Sequence, residues 1–180
     1  MLTRCICYGS LGDCAGMPGP WEQKLNLTDF TIDYRMTRAL FQCASPASSS
    51  LRSVSFSHCE RFGDAELAIV LRSLPKLEQL DLSRVTELTA ECANMFASET
   101  SCVTSTLHLL VLAGLSIIDT RWLTVALEHA NSPLRRASSQ CKVAWSLEAC
   151  SRLSDSDVNF VCQIMGSSLV ELGAFELKLC

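Results

Sequence analysis

Charge is scarce in this chain. Asp, Glu, Lys and Arg make up 19% of the 180 residues, against roughly a quarter in typical soluble domains, so part of the surface is expected to be covered. The charge present leans acidic, with 15 Lys and Arg against 19 Asp and Glu and a net charge of −4. Attraction to phosphate needs a local excess of cations, so no nucleic-acid partner is expected. Long apolar runs are also missing. The longest, 107–118, includes His108 and falls short of the roughly 20 residues that span a bilayer, so no membrane insertion is expected. The opening MLTRCICYGSLGDCAG has one Arg, an early Asp and no sustained apolar run. It reads as neither a secretory signal nor a transit peptide. Cytoplasm or nucleus is the expected location, with the mitochondrion left open.

Catalytic signatures are equally absent. There is no GxxxxGK[ST] loop, GxGxxG turn or HExxH helix, so the common phosphate and metal-hydrolase chemistries lack their backbone cradle or ligands. The three histidines are His58, His108 and His129. His58 and His108 fall in expected strand segments, but no acid, Ser or Cys stands at a fixed spacing that would make either a base. No catalytic residue and no cofactor are expected. Eleven cysteines suggest disulfides at first sight, yet the number is odd and several fall on regularly spaced apolar positions, where a thiol serves as a small apolar group. Cys5, Cys7 and Cys14 form a C-x-C-x6-C cluster. No CxxC pair or nearby His completes a ligand set, so no metal is expected.

What the chain does have is a repeated spacing. Its clearest copy runs through Leu51, Val54, Phe56, Cys59, Phe62, Asp64, Leu67, Leu71 and Leu74. Apolar residues at relative positions 1, 4 and 6 suit a short strand, and the 3.6-residue spacing that follows suits a helix. Aligned on the Cys position, the copies fall at Phe30, Cys59, Val85, Leu115, Cys150 and Leu177, at intervals of 29, 26, 30, 35 and 27 residues. The expected strand anchors are Leu25 and Leu27; Leu51, Val54 and Phe56; Leu77, Leu80 and Leu82; Leu107, Leu110 and Leu112; Trp145 and Leu147; and Leu169 and Leu172. Asp64, Thr89 and Ser154 are the expected helix starts, and residues 154–157 (SDSD) have the form of a capping box. One strand-helix unit cannot bury its own apolar face, so the units are expected to stack into a solenoid.

The segments LRSVSFSHCERFGDAEL (51–67), LEQLDLSRVTELTAE (77–91) and WSLEACSRLSDSDV (145–158) closely resemble the cysteine-containing leucine-rich repeat family, the type carried by F-box proteins of ubiquitin ligases. The resemblance covers about residues 21–180. It implies an α/β fold, a short leucine-rich-repeat solenoid or horseshoe segment with parallel strands on the concave face and helices on the convex face. The expected organisation is an irregular leader over 1–20 and a repeat domain of about six units over 21–180, interrupted at 134–141 (LRRASSQC). The Cys is replaced in four of the six units. An F-box is a helical module longer than the leader, so that role would require a fragment or a module supplied by another chain. A horseshoe like that of ribonuclease inhibitor would need more repeats than these.

The repeat register also predicts a surface. Residues between and just after the anchors point to the concave side: Asn26 and Thr28, Ser55 and Ser57, Asp81 and Ser83, Val111 and Ala113, Ser146 and Glu148, Gly173 and Phe175. The early half is polar, whereas Leu109, Val111 and Ala113 are apolar. At about 25 cal/mol per Å² of apolar surface, covering a few such side chains favours association by a few kcal/mol. A protein contact centred on the fourth strand is therefore expected, formed by His108, Leu109, Val111, Ala113, Ser146, Glu148 and Phe175. The leader or the 134–141 insertion could cover the same side chains from within. Phe175, Leu177 and Leu179 suggest an open edge, completed by a partner, a second copy or further repeats. In RRAS (135–138), two arginines precede Ser138 as a basophilic kinase selects, and a phosphate there would add about −1.5 to −2 charge. Asn26, Leu27 and Thr28 have glycosylation spacing, but Leu27 reads as a core anchor. Two functions follow as expectations: a non-catalytic protein-binding adaptor resembling the substrate receptors of ubiquitin ligases, or a structural accessory subunit of a large multiprotein complex. The small repeat protein resembling the mitochondrial ATP synthase coupling factor shows that the size suits the second role.

Overall fold

A computed structural model of the protein describes residues 24–42, 50–97, 106–128, 144–157 and 159–160. Strands and helices alternate in the order β1 (Lys24–Asn26), α1 (Tyr34–Phe41), β2 (Ser53–Ser55), α2 (Asp64–Ser73), β3 (Gln79–Asp81), α3 (Cys92–Ala97), β4 (Leu109–Val111), α4 (Thr120–Glu128) and β5 (Ala144–Ser146). The five strands form one parallel sheet in chain order. Parallel neighbours need a crossover, and between each pair of strands a helix lies on that connection. The fold is thus α/β. Leader residues 1–20, the 134–141 interruption and the sixth expected unit lie outside the described residues.

Side-chain alternation places the core on one face of the sheet. Leu25, Val54, Leu80, Leu110 and Trp145 stand in register, and Val54, Leu80 and Leu110 are buried while their strand neighbours are not. The next anchors, Leu27, Phe56, Leu82, Leu112 and Leu147, are all buried as well. From the helices come Leu67, Val70 and Leu71 of α2, Phe96 of α3, and Trp122, Leu123, Ala126 and Leu127 of α4. Each fully buried Leu contributes about 1.5–3 kcal/mol of transfer free energy. Phe56 and Phe62 stack with centroids 4.1 Å apart, and Phe96 meets Trp122 edge-on at 6.1 Å. The helices pack on one another in sequence order, α1 on α2, α2 on α3 and α3 on α4.

A turn follows every strand, and it is built the same way each time. Asp29, His58, Arg84, Gly114 and Ala149 have φ between 55° and 70°, a left-handed conformation that L-residues other than Gly adopt at a cost of roughly 1–2 kcal/mol. The first four hand their backbone N–H to the segment that follows the next strand: Asp29 to the Ser57 carbonyl at 3.0 Å, His58 to Ser83 at 2.9 Å, Arg84 to Ala113 at 2.9 Å and Gly114 to Glu148 at 2.7 Å. The residue after each turn then drops toward the core. Its N–H returns to a strand-end carbonyl, as in Cys59 to Phe56 at 3.0 Å, Val85 to Leu82 at 3.3 Å and Cys150 to Leu147 at 3.3 Å. His58 therefore lies in a turn and His108 ahead of β4, neither within a strand as the spacing suggested.

Cys59 and Cys150 occupy these buried sites. Their thiols donate across the stack, Cys59 Sγ to the Leu27 carbonyl at 2.9 Å and Cys150 Sγ to the Leu112 carbonyl at 3.3 Å. Cys92, in α3, instead accepts from the indole Nε1 of Trp122 at 3.2 Å. All three are free thiols. Burial pushes the Cys59 pKa up to about 11 and that of Cys92 up to about 12, and raises that of Cys150.

The helix starts differ in detail from the expected ones. Residue Gly63, not Asp64, caps α2, and the buried Glu66 reaches back to the Gly63 N–H at 2.9 Å. Asp64 is the first helical residue, and its carboxylate serves the next unit, accepting from the Thr89 N–H at 3.1 Å and from the Thr89 hydroxyl. Asp33 caps α1 by accepting from the Met36 N–H at 2.9 Å, and Asp119 accepts from the Trp122 N–H at 2.8 Å at the start of α4. At 154–157 the Asp157 carboxylate accepts from the Ser154 N–H at 2.8 Å, as a capping box requires, and also from the Ser154 hydroxyl at 2.6 Å. It accepts from the Thr120 hydroxyl of the preceding unit too. The Ser154 and Thr120 hydrogen bonds hold the Asp157 carboxyl below the usual aspartate range.

Candidate interaction face

On the side of the sheet away from the core, the outward side chains form a grid with fixed rows. Strand register aligns Lys24, Ser53, Gln79 and Leu109 in the first row and Asn26, Ser55, Asp81, Val111 and Ser146 in the second. Thr28, Ser57, Ser83, Ala113 and Glu148 make the third, aligned by the backbone hydrogen bonds that continue past the strands. The strands set only the direction of these side chains. Their chemistry is free to vary.

Across β1 to β3 the second and third rows of the grid are joined by hydrogen bonds. Thr28 Oγ1 donates to Asn26 Oδ1 at 2.6 Å and lies 3.2 Å from Ser55 Oγ. Ser55 donates to Asp81 Oδ2 at 3.0 Å, and the Ser83 N–H reaches Asp81 Oδ1 at 2.9 Å. Ser83 Oγ stands 2.6 Å from Asp81 Oδ1 and 2.9 Å from Ser57 Oγ. A hydroxyl has one proton. The charge-assisted bond to the carboxylate is the stronger, so the Ser83 proton goes to Asp81. Protons thus run toward Asp81, whose half-buried carboxylate is held in place by three donors. No ion pair involving Asp81 exists among the described residues.

At β4 the character changes. Leu109, Val111 and Ala113 are half-buried and apolar, and beyond them stand the half-buried Ser146 and the exposed Glu148. His108 is exposed just before β4, its N–H donating to the Glu78 carbonyl at 2.7 Å. The structure therefore places Leu109 and Val111 on β4 and Ser146 on the adjoining β5, with His108 just before β4 and Ala113 and Glu148 just past the two strands. Phe175, Ser138 and the Cys5, Cys7 and Cys14 cluster lie outside the described residues. Off the grid, at one end, Arg84 lays its aliphatic stem against Gly114. At the other, Arg52 pairs with Glu78 on the surface.

Sequence reasoning found the outward polar residues but not the role of Asp81 as their common acceptor. The recurrence of Ser or Thr at Thr28, Ser57 and Ser83, two residues after Asn26, Ser55 and Asp81, was the available signal. Among the described residues no group of His, Cys, Asp and Glu is arranged to hold a metal ion. No helix among them is long and apolar enough to cross a membrane. In comparisons with known proteins, no protein-family model and no curated protein matches the chain.

Proposed function

We propose that this chain is a short leucine-rich-repeat solenoid of the cysteine-containing type and acts as a non-catalytic adaptor, binding a protein through the open face of its sheet. Support for the repeat reading comes from the in-order parallel strands, the left-handed residue after each, and the thiols of Cys59 and Cys150 bonded to carbonyls of the preceding unit. Such a stack is a way of presenting a surface. The observation that carries the adaptor reading is the contrast within that surface. The polar side chains in the second and third rows of β1 to β3 bond one another, whereas Leu109, Val111 and Ala113 gain by being covered. The location that goes with this reading is the cytoplasm or nucleus. A substrate-receptor role resembling those of ubiquitin ligases fits this reading.

Val111→Asp tests it. The side chain points away from the core, so the variant is expected to melt within about 1 kcal/mol of the parent while losing any protein that the parent captures. Equal capture by both chains, or unfolding of the variant, would refute the reading. The low charge and 48% hydrophobic content favour a second role, that of a structural accessory subunit in a large multiprotein complex. In that case the chain alone would aggregate, and light scattering after size exclusion would show it.

A further inference from the structure

The grid next to β4 has a one-sided charge. In the second row Val111 stands between Asp81 on β3 and Ser146 on β5; in the third, Ala113 stands between Ser83 and Glu148. The apolar segment thus has an acid on each flank, and the grid's cation, Lys24, lies two strands beyond Asp81 on β1. The two acids differ in kind. Glu148 is exposed and free to reorient, whereas the Asp81 carboxylate is immobilised by Ser55 and by the Ser83 N–H and hydroxyl. A charge fixed in advance loses no side-chain entropy when a partner arrives. Arg84 is the nearby cationic side chain among the described residues, and it sits off the grid, in the turn after β3.

We infer that the open face at β4 recognises a protein segment that presents one large apolar side chain with a lysine or arginine beside it, the apolar group covering Leu109, Val111 and Ala113 and the cation meeting Asp81, with Glu148 on the far flank. This inference rests on the adaptor reading above and specifies the partner's chemistry. The apolar contact supplies most of the affinity. The acids select among apolar ligands, rejecting acidic ones by like-charge repulsion.

The test pans a random dodecapeptide phage library on the immobilised full-length chain. Parallel pannings use Val111→Asp, Glu148→Gln and Asp81→Asn, each first shown to melt like the parent. The enriched sequences are then made as synthetic peptides and titrated by fluorescence anisotropy. Peptides joining Phe, Trp or Leu to a neighbouring Lys or Arg are expected to dominate on the parent. Their affinity should fall about two- to five-fold in Asp81→Asn or Glu148→Gln and become undetectable in Val111→Asp. It should also weaken as salt is raised past the point where the screening length drops below about 10 Å. If Val111-dependent peptides emerge without cations, or keep their affinity in both acid-neutralised variants, the partner chemistry is wrong while the adaptor reading stands. If no enriched peptide depends on Val111, both fail. Because Asn at 81 could disturb the hydroxyl network, Glu148→Gln provides an independent reading at a side chain outside it.

Discussion

The Gly114→Ala substitution tests the turn that follows each strand, because its cost divides into parts that can be measured separately. Gly114 has φ +70°, and a Cβ built on it would stand 2.8 Å from Cγ of Arg84. Holding an alanine in the left-handed region costs roughly 1–2 kcal/mol. Moving the exposed Arg84 stem out of its present rotamer adds about 0.5–1.5 kcal/mol. The reduced freedom of the unfolded chain returns about 0.4–1 kcal/mol. The net destabilisation is therefore about 0.5–3 kcal/mol, which in a chain of 180 residues lowers the melting temperature by about 1–12 °C. Ala149 already holds an alanine at φ 57° in the equivalent turn, so the variant is expected to fold. Urea titrations of Gly114→Ala, Arg84→Ala and the double variant close a cycle. With the Arg84 stem removed, Gly114→Ala should cost about 0.5–1.5 kcal/mol less. A Gly114→Ala protein as stable as the parent would refute the left-handed turn. A coupling indistinguishable from zero would refute the Arg84 contact.

Three further outcomes follow from the same structure. Leu110→Ala empties a fully buried site at the centre of β4 and should cost about 2–5 kcal/mol, whereas Tyr34→Ala, at a 46% exposed site, should change urea stability by less than about 0.5 kcal/mol; similar values for the two would contradict the assignment of the core. Because burial raises their pKa values to about 11 and about 12, Cys59 and Cys92 should resist alkylation at pH 8 in the folded protein and react fully in denaturant, as read by peptide mass spectrometry. Hydrogen bonds from Ser154 and Thr120 lower the Asp157 pKa, so its contribution to stability is complete above the ordinary aspartate pKa of about 4 and is lost as pH falls through the lower folded value. The stability gap between the parent and Asp157→Asn should accordingly narrow on acidification, and a gap that widens would reverse the assignment.

The buried anchors were legible because they obey local rules. Val54 and Phe56, Leu80 and Leu82, and Leu110 and Leu112 alternate with outward residues, and Leu67, Val70 and Leu71 follow the helical period. Contacts between units were not legible, since linear spacing carries no record of them. Asp64 looked like a cap because an acid precedes an apolar helix there, yet its carboxylate is drawn to Thr89 of the next unit while Gly63 and Glu66 close the helix end. Asp33 falls three residues after Phe30, whereas the expected starts fall four or five after their anchors; Asp119 stands four after Leu115, as Thr89 and Ser154 do after Val85 and Cys150, so its cap was legible in the spacing. Of the five left-handed residues in the turns after the strands, only Gly114, which lacks a side chain, advertises that conformation. At Asp29, His58 and Arg84 the backbone hydrogen bonds to the neighbouring segment outweigh the local preference. On the open face, the rows could be assigned from register alone. Convergence of hydroxyls on Asp81 depends on distances between strands, which no single segment encodes.

Those left-handed turns also explain how one scaffold can carry a face that changes from polar to apolar along its length. The backbone bonds from Leu27 to Ser55, Phe56 to Asp81, Leu82 to Val111 and Leu112 to Ser146 run between main-chain atoms, and none depends on which side chain points outward. Replacing Ser55 or Val111 therefore leaves the ladder intact, whereas replacing Val54 or Leu110 opens the core. Stability resides in the inward positions, which leaves the chemistry of the outward ones free to vary. Asp81 is the exception among the outward residues. Its three donors come from β2 and from the turn after β3, so its charge is part of the scaffold. A partner that places a cation there meets a carboxylate already oriented, and the cost of that order has been met in folding rather than in binding.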